Sequence, residues 1–180
     1  MNKVRIIGGD MRSRTISFPD AEGLRPTPDR VRETLFNWLG QTLYGRTCLD
    51  LFAGSGALGF EAASRGAEQV VMVELNRAVL RALQDNVKKL GCANISVQGQ
   101  DGLEFASRDV RTYDVIFLDP PFGSDYLPRL LEILPQRLNE NGVVYVESGA
   151  AIDVPPRWQV LKSGKAGQVH YQLLGLSVND

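Results

Sequence analysis

Short apolar runs alternate with amphipathic segments through most of this chain. Apolar runs bounded by turn residues are typical of strands buried in a parallel sheet, and they occur at 48–52, 69–74, 95–97, 113–118 and 143–147. Apolar residues at helical spacing lie between these runs and predict helices at 54–64, 77–90, 102–107 and 126–138. The order predicts an α/β fold built around a mostly parallel sheet.

Both ends of the chain depart from this alternation. Two strand-like runs within residues 3–18 predict a β-hairpin, and a helix is predicted from Pro28 with Thr27 as its N-cap. Near the carboxyl end, the runs 158–163 and 169–176 are separated by only four residues, so they predict an antiparallel hairpin appended to the parallel strands. The sheet would then have seven strands.

We therefore expect two parts, an N-terminal extension over residues 1–45 and a larger domain over residues 46–180. The 180 residues are 43% hydrophobic and 23% charged, which is ordinary for a globular protein. The sequence shows no secretory signal or membrane-spanning run, and Cys48 and Cys92 lack metal-ligand spacing. These features predict a cytoplasmic monomer with reduced thiols and no bound metal.

Charge is distributed unevenly although the net charge is only -1. Residues 1–46 contain eight Lys or Arg and five Asp or Glu, while the remaining residues contain 12 basic and 16 acidic side chains. A basic segment on an acidic body is a candidate phosphate-contacting arm. A solvated charged face would have the same composition, so charge alone leaves both interpretations open.

A glycine-rich loop follows the first buried strand. Gly54, Gly56 and Gly59 form the pattern G-x-G-x-x-G between a strand and a helix, where backbone N–H groups can approach a nucleotide cofactor. Glu74 ends the next strand, where an acid can accept both hydroxyls of a ribose, although it could instead cap the following helix. Asp101 follows the third strand and could accept an adenine amine, serve as an N-cap, or do both.

The loop alone fits NAD, FAD or S-adenosylmethionine. A dehydrogenase would need an acid or base beside the nicotinamide, and the only histidine, His170, lies late in the predicted hairpin. The tetrad Asp119-Pro120-Pro121-Phe122 is more specific, since it lies at the carboxyl end of a predicted buried strand. A carboxylate, carbonyls freed by proline and an aromatic face suit a flat base that carries an exocyclic amine.

With these motifs in one order, the chain resembles class I S-adenosylmethionine-dependent methyltransferases, and more narrowly the RsmD family of bacterial 16S rRNA guanine-N2 methyltransferases. The narrow match rests on the segments 5–9, 24–27 and 29–37, and it extends through 145–147 and 165–169. The resemblance implies a Rossmann-like fold and methyl transfer from S-adenosylmethionine to N2 of a guanine. It also implies 16S rRNA as the partner, within a small-subunit assembly particle.

The resemblance further implies roles for individual residues. The implied catalytic residues are Asp119, Pro120, Pro121 and Phe122. The implied cofactor-binding residues are Asp50, Phe52, Gly54, Ser55, Gly56, Glu74, Asp101 and Asp119. The implied RNA contacts of the N-terminal extension, which would act as a lid, are Arg5, Arg25, Arg30 and Arg32, although Arg30 could instead pair with Glu33 on its helix.

Two other functions stay open. A DNA adenine-N6 or cytosine-N4 methyltransferase would share the Asp119–Phe122 tetrad, but the 180 residues contain no evident domain for recognising a DNA target. A non-catalytic nucleotide-binding module for ribosome assembly would share the fold, and the intact Glu74 and Asp119 argue against it.

Overall fold

The computed structural model describes residues 1–121 and 124–178. The strands are β1 (Asn2–Arg5), β2 (Thr15–Phe18), β3 (Thr47–Asp50), β4 (Gln69–Val73), β5 (Ile95–Gln98), β6 (Tyr113–Leu118), β7 (Leu138–Ser148), β8 (Trp158–Ala166) and β9 (Val169–Leu176). The helices are α1 (Asp29–Trp38), α2 (Ala57–Ser64), α3 (Arg77–Leu90), α4 (Gly102–Arg108) and α5 (Tyr126–Ile133), and a short 3-10 helix follows at Leu134–Arg137.

Seven strands form one sheet in the order β5-β4-β3-β6-β7-β9-β8. The five strands from β5 to β7 are parallel, and β9 runs antiparallel to both β7 and β8. The predicted fold class, a Rossmann-like α/β fold with a C-terminal antiparallel hairpin, is confirmed. The last turn is tighter than predicted, because β8 continues to Ala166 and only Gly167 and Gln168 connect the two strands.

Strand side chains alternate between two apolar cores, one on each face of the sheet. On one face, Phe117 and Tyr145 pack with apolar residues of α1, α2 and α3. On the other face, Leu118 and Val146 pack with residues of α4 and α5. This register matters for the site, because Asp119 and Glu147 continue β6 and β7 on the face of Phe117 and Tyr145.

The N-terminal extension shares the core of the larger domain. β1 and β2 form the predicted antiparallel hairpin, and Val4, Ile16 and Phe18 are buried in the same cluster as α1 and α3. Asn86 of α3 also accepts a hydrogen bond from the N–H of Ser17 and donates one to its carbonyl. The hairpin is therefore fixed by packing against the domain rather than by a core of its own.

Helix α1 begins one residue later than the sequence predicts. Pro28 is its N-cap, so the prediction of Thr27 as the N-cap was wrong. The Thr27 hydroxyl instead donates to the Glu147 carboxylate at 2.7 Å. A buried carboxylate is a stronger acceptor than a neutral group, and this pairing takes precedence over local capping. None of the helices in the described ranges is long and apolar enough to cross a membrane.

Candidate active site

The candidate site lies where the strand order reverses, between β3 and β6. In an open α/β sheet, the carboxyl ends of the strands on either side of this point form a cleft that binds ligands. Four strands bring an acid to this edge: Asp50 on β3, Glu74 after β4, Asp119 after β6 and Glu147 on β7. The ion pairs of residues 1–121 and 124–178 involve other side chains. The cleft therefore gathers four carboxyl groups that have no cationic side chain as a partner among the described residues.

The glycine loop brings bare backbone into this cleft. Gly54 and Gly56 have φ values of +54° and +85°, in the left-handed region that favours glycine. A Cβ on Gly56 would lie 2.7 Å from Phe60 and 2.8 Å from Leu83, so a side chain is excluded there. The loop then enters α2, and the hydroxyl of buried Ser55 accepts from the N–H of Ala57.

Glu74 joins this loop to the start of α3. One of its carboxylate oxygens accepts from the Gly54 N–H at 2.8 Å, and the other accepts from the Asn76 N–H at 2.9 Å. The N-cap of α3 is Asn76, whose side chain accepts from two N–H groups of the first turn. A carboxylate has about four acceptor positions, so Glu74 can still accept from two ribose hydroxyls. Glu74 therefore holds the loop and is not the N-cap of α3, and its ribose role stays a prediction.

Two aromatic side chains, those of Phe52 and Tyr126, lie beside Asp101. The Asp101 carboxylate accepts from the Glu104 N–H at 3.0 Å, as an N-cap of α4, and from the Tyr126 hydroxyl at 2.8 Å. The Tyr126 ring lies 6.0 Å from the ring of half-buried Phe52. A flat apolar surface next to a carboxylate suits a purine with an exocyclic amine.

Asp50 is the most deeply buried acid of the cleft. Burial raises its pKa to about 8, although the Phe52 N–H opposes the shift by hydrogen bonding. The negative charges of Asp119, Glu74 and Glu147 raise it further, in that order of effect. A cation bound in the cleft would lower this pKa, because it would offset the repulsion between the acids.

Asp119 and Glu147 form an interacting pair. Leu118 is in register with Val146, so the next residues of these two parallel strands lie side by side. Asp119 keeps a solvent-exposed edge, yet desolvation of its carboxylate raises its pKa to about 7, and the charge of Glu147 adds to the shift. Burial also raises the pKa of Glu147, while hydrogen bonds from Tyr145 and Thr27 oppose that change.

The turn after β6 is partly described. Pro120 is half-buried and Pro121 is exposed, and the Pro121 carbonyl accepts from the Ser124 hydroxyl at 2.7 Å. This bond helps to hold the turn in place. Phe122, the predicted stacking residue, lies outside the described residues.

The predicted RNA-contacting arginines separate into two groups. Arg5, Arg25 and Arg30 are exposed, as a phosphate contact requires. The prediction for Arg32 was wrong, because it is 1% exposed and pairs with Glu61 at 3.2 Å and with Asp29. Its position on the buried stripe of α1, beside Val31, was the available signal. Among the residues that the structure describes, Arg30 forms no ion pair with Glu33.

Sequence reasoning missed three residues that shape the cleft. Leu24 reaches the glycine loop, since a Cβ on Gly54 would lie 2.8 Å from its Cδ1. Thr27 bonds to Glu147 and Tyr126 bonds to Asp101, as described above. Pairings across this many residues leave no local pattern, so motif spacing could not have identified them.

A surface depression of the described residues lies away from this cleft. It has a volume of about 540 Å³, and residues Gly9, Arg12, Gln41 and Tyr44 are among those that line it. Tyr44 pairs with Ala67 just before β3 and β4 begin, so the depression lies at the amino-terminal edge of the sheet. The acids and the glycine loop meet instead at the carboxyl-terminal edge of the sheet.

Comparison with known proteins places the chain in a family. A family model described as "Conserved hypothetical protein 95" matches residues 4–175. The chain belongs to this family. It is 41% identical over 176 residues to the Escherichia coli K12 protein named "Ribosomal RNA small subunit methyltransferase D", covering 95% of this chain and 89% of that protein. The RsmD resemblance is thereby confirmed.

Two solved structures place the fold among methyltransferases. The structure described as "Putative methyltransferase yhhF from Escherichia coli" has a TM-score of 0.89 and 39% identity, over 99% of this chain and 100% of that one. The T. thermophilus 16S rRNA N2 G1207 methyltransferase, in complex with AdoMet and guanosine, has a TM-score of 0.70 and 25% identity, over 96% of this chain and 48% of that one.

The residues of the cleft fit S-adenosylmethionine. The left-handed φ values of Gly54 and Gly56 shape a tight turn at the cleft, and Glu74 and Asp101 each keep acceptor positions for a nucleoside. The cofactor carries a sulfonium and an ammonium, which complement the acidic cleft. In the described part of the chain, no cluster of three or more His, Cys, Asp or Glu has metal-binding geometry.

Proposed function

We propose that this protein transfers the methyl group of S-adenosylmethionine to N2 of a guanine in small-subunit ribosomal RNA. The observation that carries the proposal is the position of Asp119, an accessible carboxylate in a proline turn beside the glycine loop. The E. coli relative's name and the guanosine complex of the T. thermophilus neighbour support the same chemistry.

Each part of the cleft then has a role in binding the cofactor. Glu74 would accept hydrogen bonds from the ribose hydroxyls while it keeps the glycine loop fixed. Asp101 would accept one from the adenine amine, and Phe52 and Tyr126 would cover the ring. Asp50, Ser55 and the loop backbone would hold the methionine end. The bound cofactor supplies an electrophilic methyl group on its sulfonium.

The target amine requires positioning, because its lone pair is delocalised into the guanine ring. Hydrogen bonds from the amine to Asp119 and to the Pro120 carbonyl direct the nitrogen lone pair toward the methyl group. Alignment of this kind is a large part of the catalytic effect in such reactions. The nitrogen becomes acidic once it carries the methyl group, and its proton then leaves to Asp119 or to water. The raised pKa of Asp119 makes it a better acceptor for that proton.

We propose that Asp119, Phe122 and the N-terminal extension together recognise the target base and its RNA. The guanine leaves its stack at a cost of a few kcal/mol unless it is unpaired, and stacking on Phe122 returns about 1–3 kcal/mol. Exposed Arg5, Arg25 and Arg30 contact RNA phosphates. We further propose that the protein acts as a cytoplasmic monomer without a metal, on RNA within a small-subunit assembly particle.

The first test is methyl transfer from labelled S-adenosylmethionine to small ribosomal subunits from cells that lack the gene. Nucleoside analysis should yield labelled N2-methylguanosine. Labelled methyladenine or methylcytosine would refute the target, and cofactor binding without any label would favour a non-catalytic module. Asp119→Ala should abolish transfer while it keeps cofactor binding. Equal loss of both would contradict the assigned role, and Asp125→Ala, an exposed acid after the same turn, is the matched control.

A further inference from the structure

Glu147 lies at the centre of an interaction network next to the proposed catalytic acid. It is 8% exposed, and its carboxylate accepts from the Tyr145 hydroxyl at 2.7 Å and from the Thr27 hydroxyl at 2.7 Å. The register of β6 and β7 places it beside Asp119 on the same face of the sheet. A buried carboxylate with two hydroxyl donors and an acidic neighbour is costly to maintain, which suggests a functional reason for it.

The residue that reaches Glu147 belongs to the segment that crosses the cleft, residues 24–28. At one end of the segment, Leu24 lies against Gly54 of the glycine loop. At the other end, the Thr27 carbonyl accepts from Arg32 at 3.2 Å, and Arg32 pairs with buried Glu61. The Thr27 hydroxyl joins this anchored segment to the strand that flanks the catalytic turn.

We propose that Glu147 is a positioning residue for methyl transfer, which holds the 24–28 segment over the cofactor cleft through Thr27 and places a second carboxylate beside Asp119. This inference rests on the proposed function, because it assigns Glu147 as the partner of Asp119, the carboxylate that accepts a hydrogen bond from the target amine. Neither role requires Glu147 to contact the cofactor or the RNA.

The charged surroundings of the pair are mostly acidic. Asp50 and Glu74 face it from β3 and β4, Tyr145 lies on β7 itself, and Tyr171 of β9 is in register with Glu147. Arg32 of α1 donates to the carbonyls of Thr27 and Arg5 and pairs with Glu61 and Asp29, so its charge is taken up by other groups. The two hydroxyl donors are therefore the groups that favour ionised Glu147. Loss of either donor weakens the negative charge next to Asp119.

The consequence for Asp119 can be followed by its titration. Ionised Glu147 raises the proton affinity of Asp119, so a protonated Asp119 persists to higher pH. Only ionised Asp119 accepts both the amine hydrogen bond and the later proton. Removing the Glu147 charge should let Asp119 ionise at lower pH, while the 24–28 segment loses its attachment.

The test compares Glu147→Gln, Thr27→Val and Thr27→Ser with the wild type between about pH 5.5 and 9, a range that brackets the raised pKa of Asp119. Single-turnover methyl transfer and S-adenosylmethionine affinity are both measured. Glu140→Gln is the matched control, because it removes an exposed acid from the opposite end of β7. Thermal denaturation confirms that each variant is folded.

In Glu147→Gln, the acid limb of the transfer profile should move to lower pH by about one unit or more. In Thr27→Val, the cofactor Kd should rise by about 10–100-fold, as loss of one hydrogen bond to a charged group predicts, and Thr27→Ser should restore it. If the acid limb of Glu147→Gln coincides with that of the wild type, or if Thr27→Val binds the cofactor normally, the inference is wrong.

The binding measurement separates this inference from the proposed function. If the wild type transfers no methyl group to small subunits, the proposed function fails. The affinity for the cationic cofactor should still rise with pH as Asp119 ionises, and this rise should move to lower pH in Glu147→Gln. A rise that stays at the same pH in both proteins would refute the inference, whatever the RNA assay shows.

Discussion

Replacing Arg32 by methionine should destabilise the protein without a direct effect on RNA phosphate contacts. The Arg32 guanidinium donates to the carbonyls of Arg5 at 3.1 Å and Thr27 at 3.2 Å, and it pairs with Glu61 and Asp29. Methionine fills a similar length of apolar space but satisfies none of these acceptors. The variant therefore isolates the polar contribution of this buried side chain.

The magnitude follows from what remains around Glu61, which is fully buried. Breaking a buried ion pair typically costs about 3–5 kcal/mol, because the remaining charge loses its partner. Glu61 keeps the Arg65 guanidinium at 2.8 Å and the N–H groups of Ile7 and Gly8 at 2.9 Å. We therefore expect a loss near the lower end, about 3 kcal/mol in the free energy of unfolding.

Urea denaturation measures this loss, and the salt dependence of RNA binding measures the phosphate contacts. Arg30→Met is the matched control, because Arg30 lies on the exposed face of the same helix. Arg30→Met should keep wild-type stability. It should lower the slope of log RNA affinity against log salt concentration by about 1, the value for one phosphate contact. The reasoning fails if Arg32→Met unfolds like the wild type and instead shows the reduced slope.

Three further predictions concern the cleft. Glu74→Gln should weaken S-adenosylmethionine binding by about 10–100-fold, as loss of a charged hydrogen bond predicts, and calorimetry that finds unchanged affinity would contradict the ribose role. Gly56→Ala should lower the free energy of unfolding by about 2–4 kcal/mol from backbone strain and overpacking, against about 1 kcal/mol for Gly91→Ala, which has a similar φ but open space. The pKa of Asp50 is raised to about 8 in the folded protein, so folding takes up a proton. Stability should be highest at acidic pH near the unfolded-state pKa and fall as pH rises toward 8, and Asp50→Asn should flatten this dependence in denaturation at a series of pH values.

The sequence predicted features that depend on local pattern. Apolar runs identified the parallel strands because both faces of such strands are buried. The predicted helix 77–90 ends at Leu90 as expected, and its C-cap is Gly91, whose φ of +68° is accessible mainly to glycine. Asp101 was correctly predicted as an N-cap, because capping depends only on the next three residues.

Other features depend on residues far apart in the chain. Helical spacing could have placed Arg32 on the buried side of α1, but its partner Glu61 lies on α2, 29 positions away. Thr27 has a good capping position, yet a distant carboxylate takes its hydroxyl. Tyr126 supports Asp101 across 25 positions. Such pairings are set by the fold as a whole, so they could not be predicted from motif spacing.

The hydrogen bond between Thr27 and Glu147 spans 120 positions of the chain. During synthesis, the segment that crosses the cleft leaves the ribosome early, but its acceptor on β7 follows only after most of the sheet has been made. Domains generally form as units, and contacts between distant positions form late. In a nascent chain, the segment 24–28 would therefore stay unattached to β7 for most of the synthesis. The competent site would assemble only once β7 has joined the sheet.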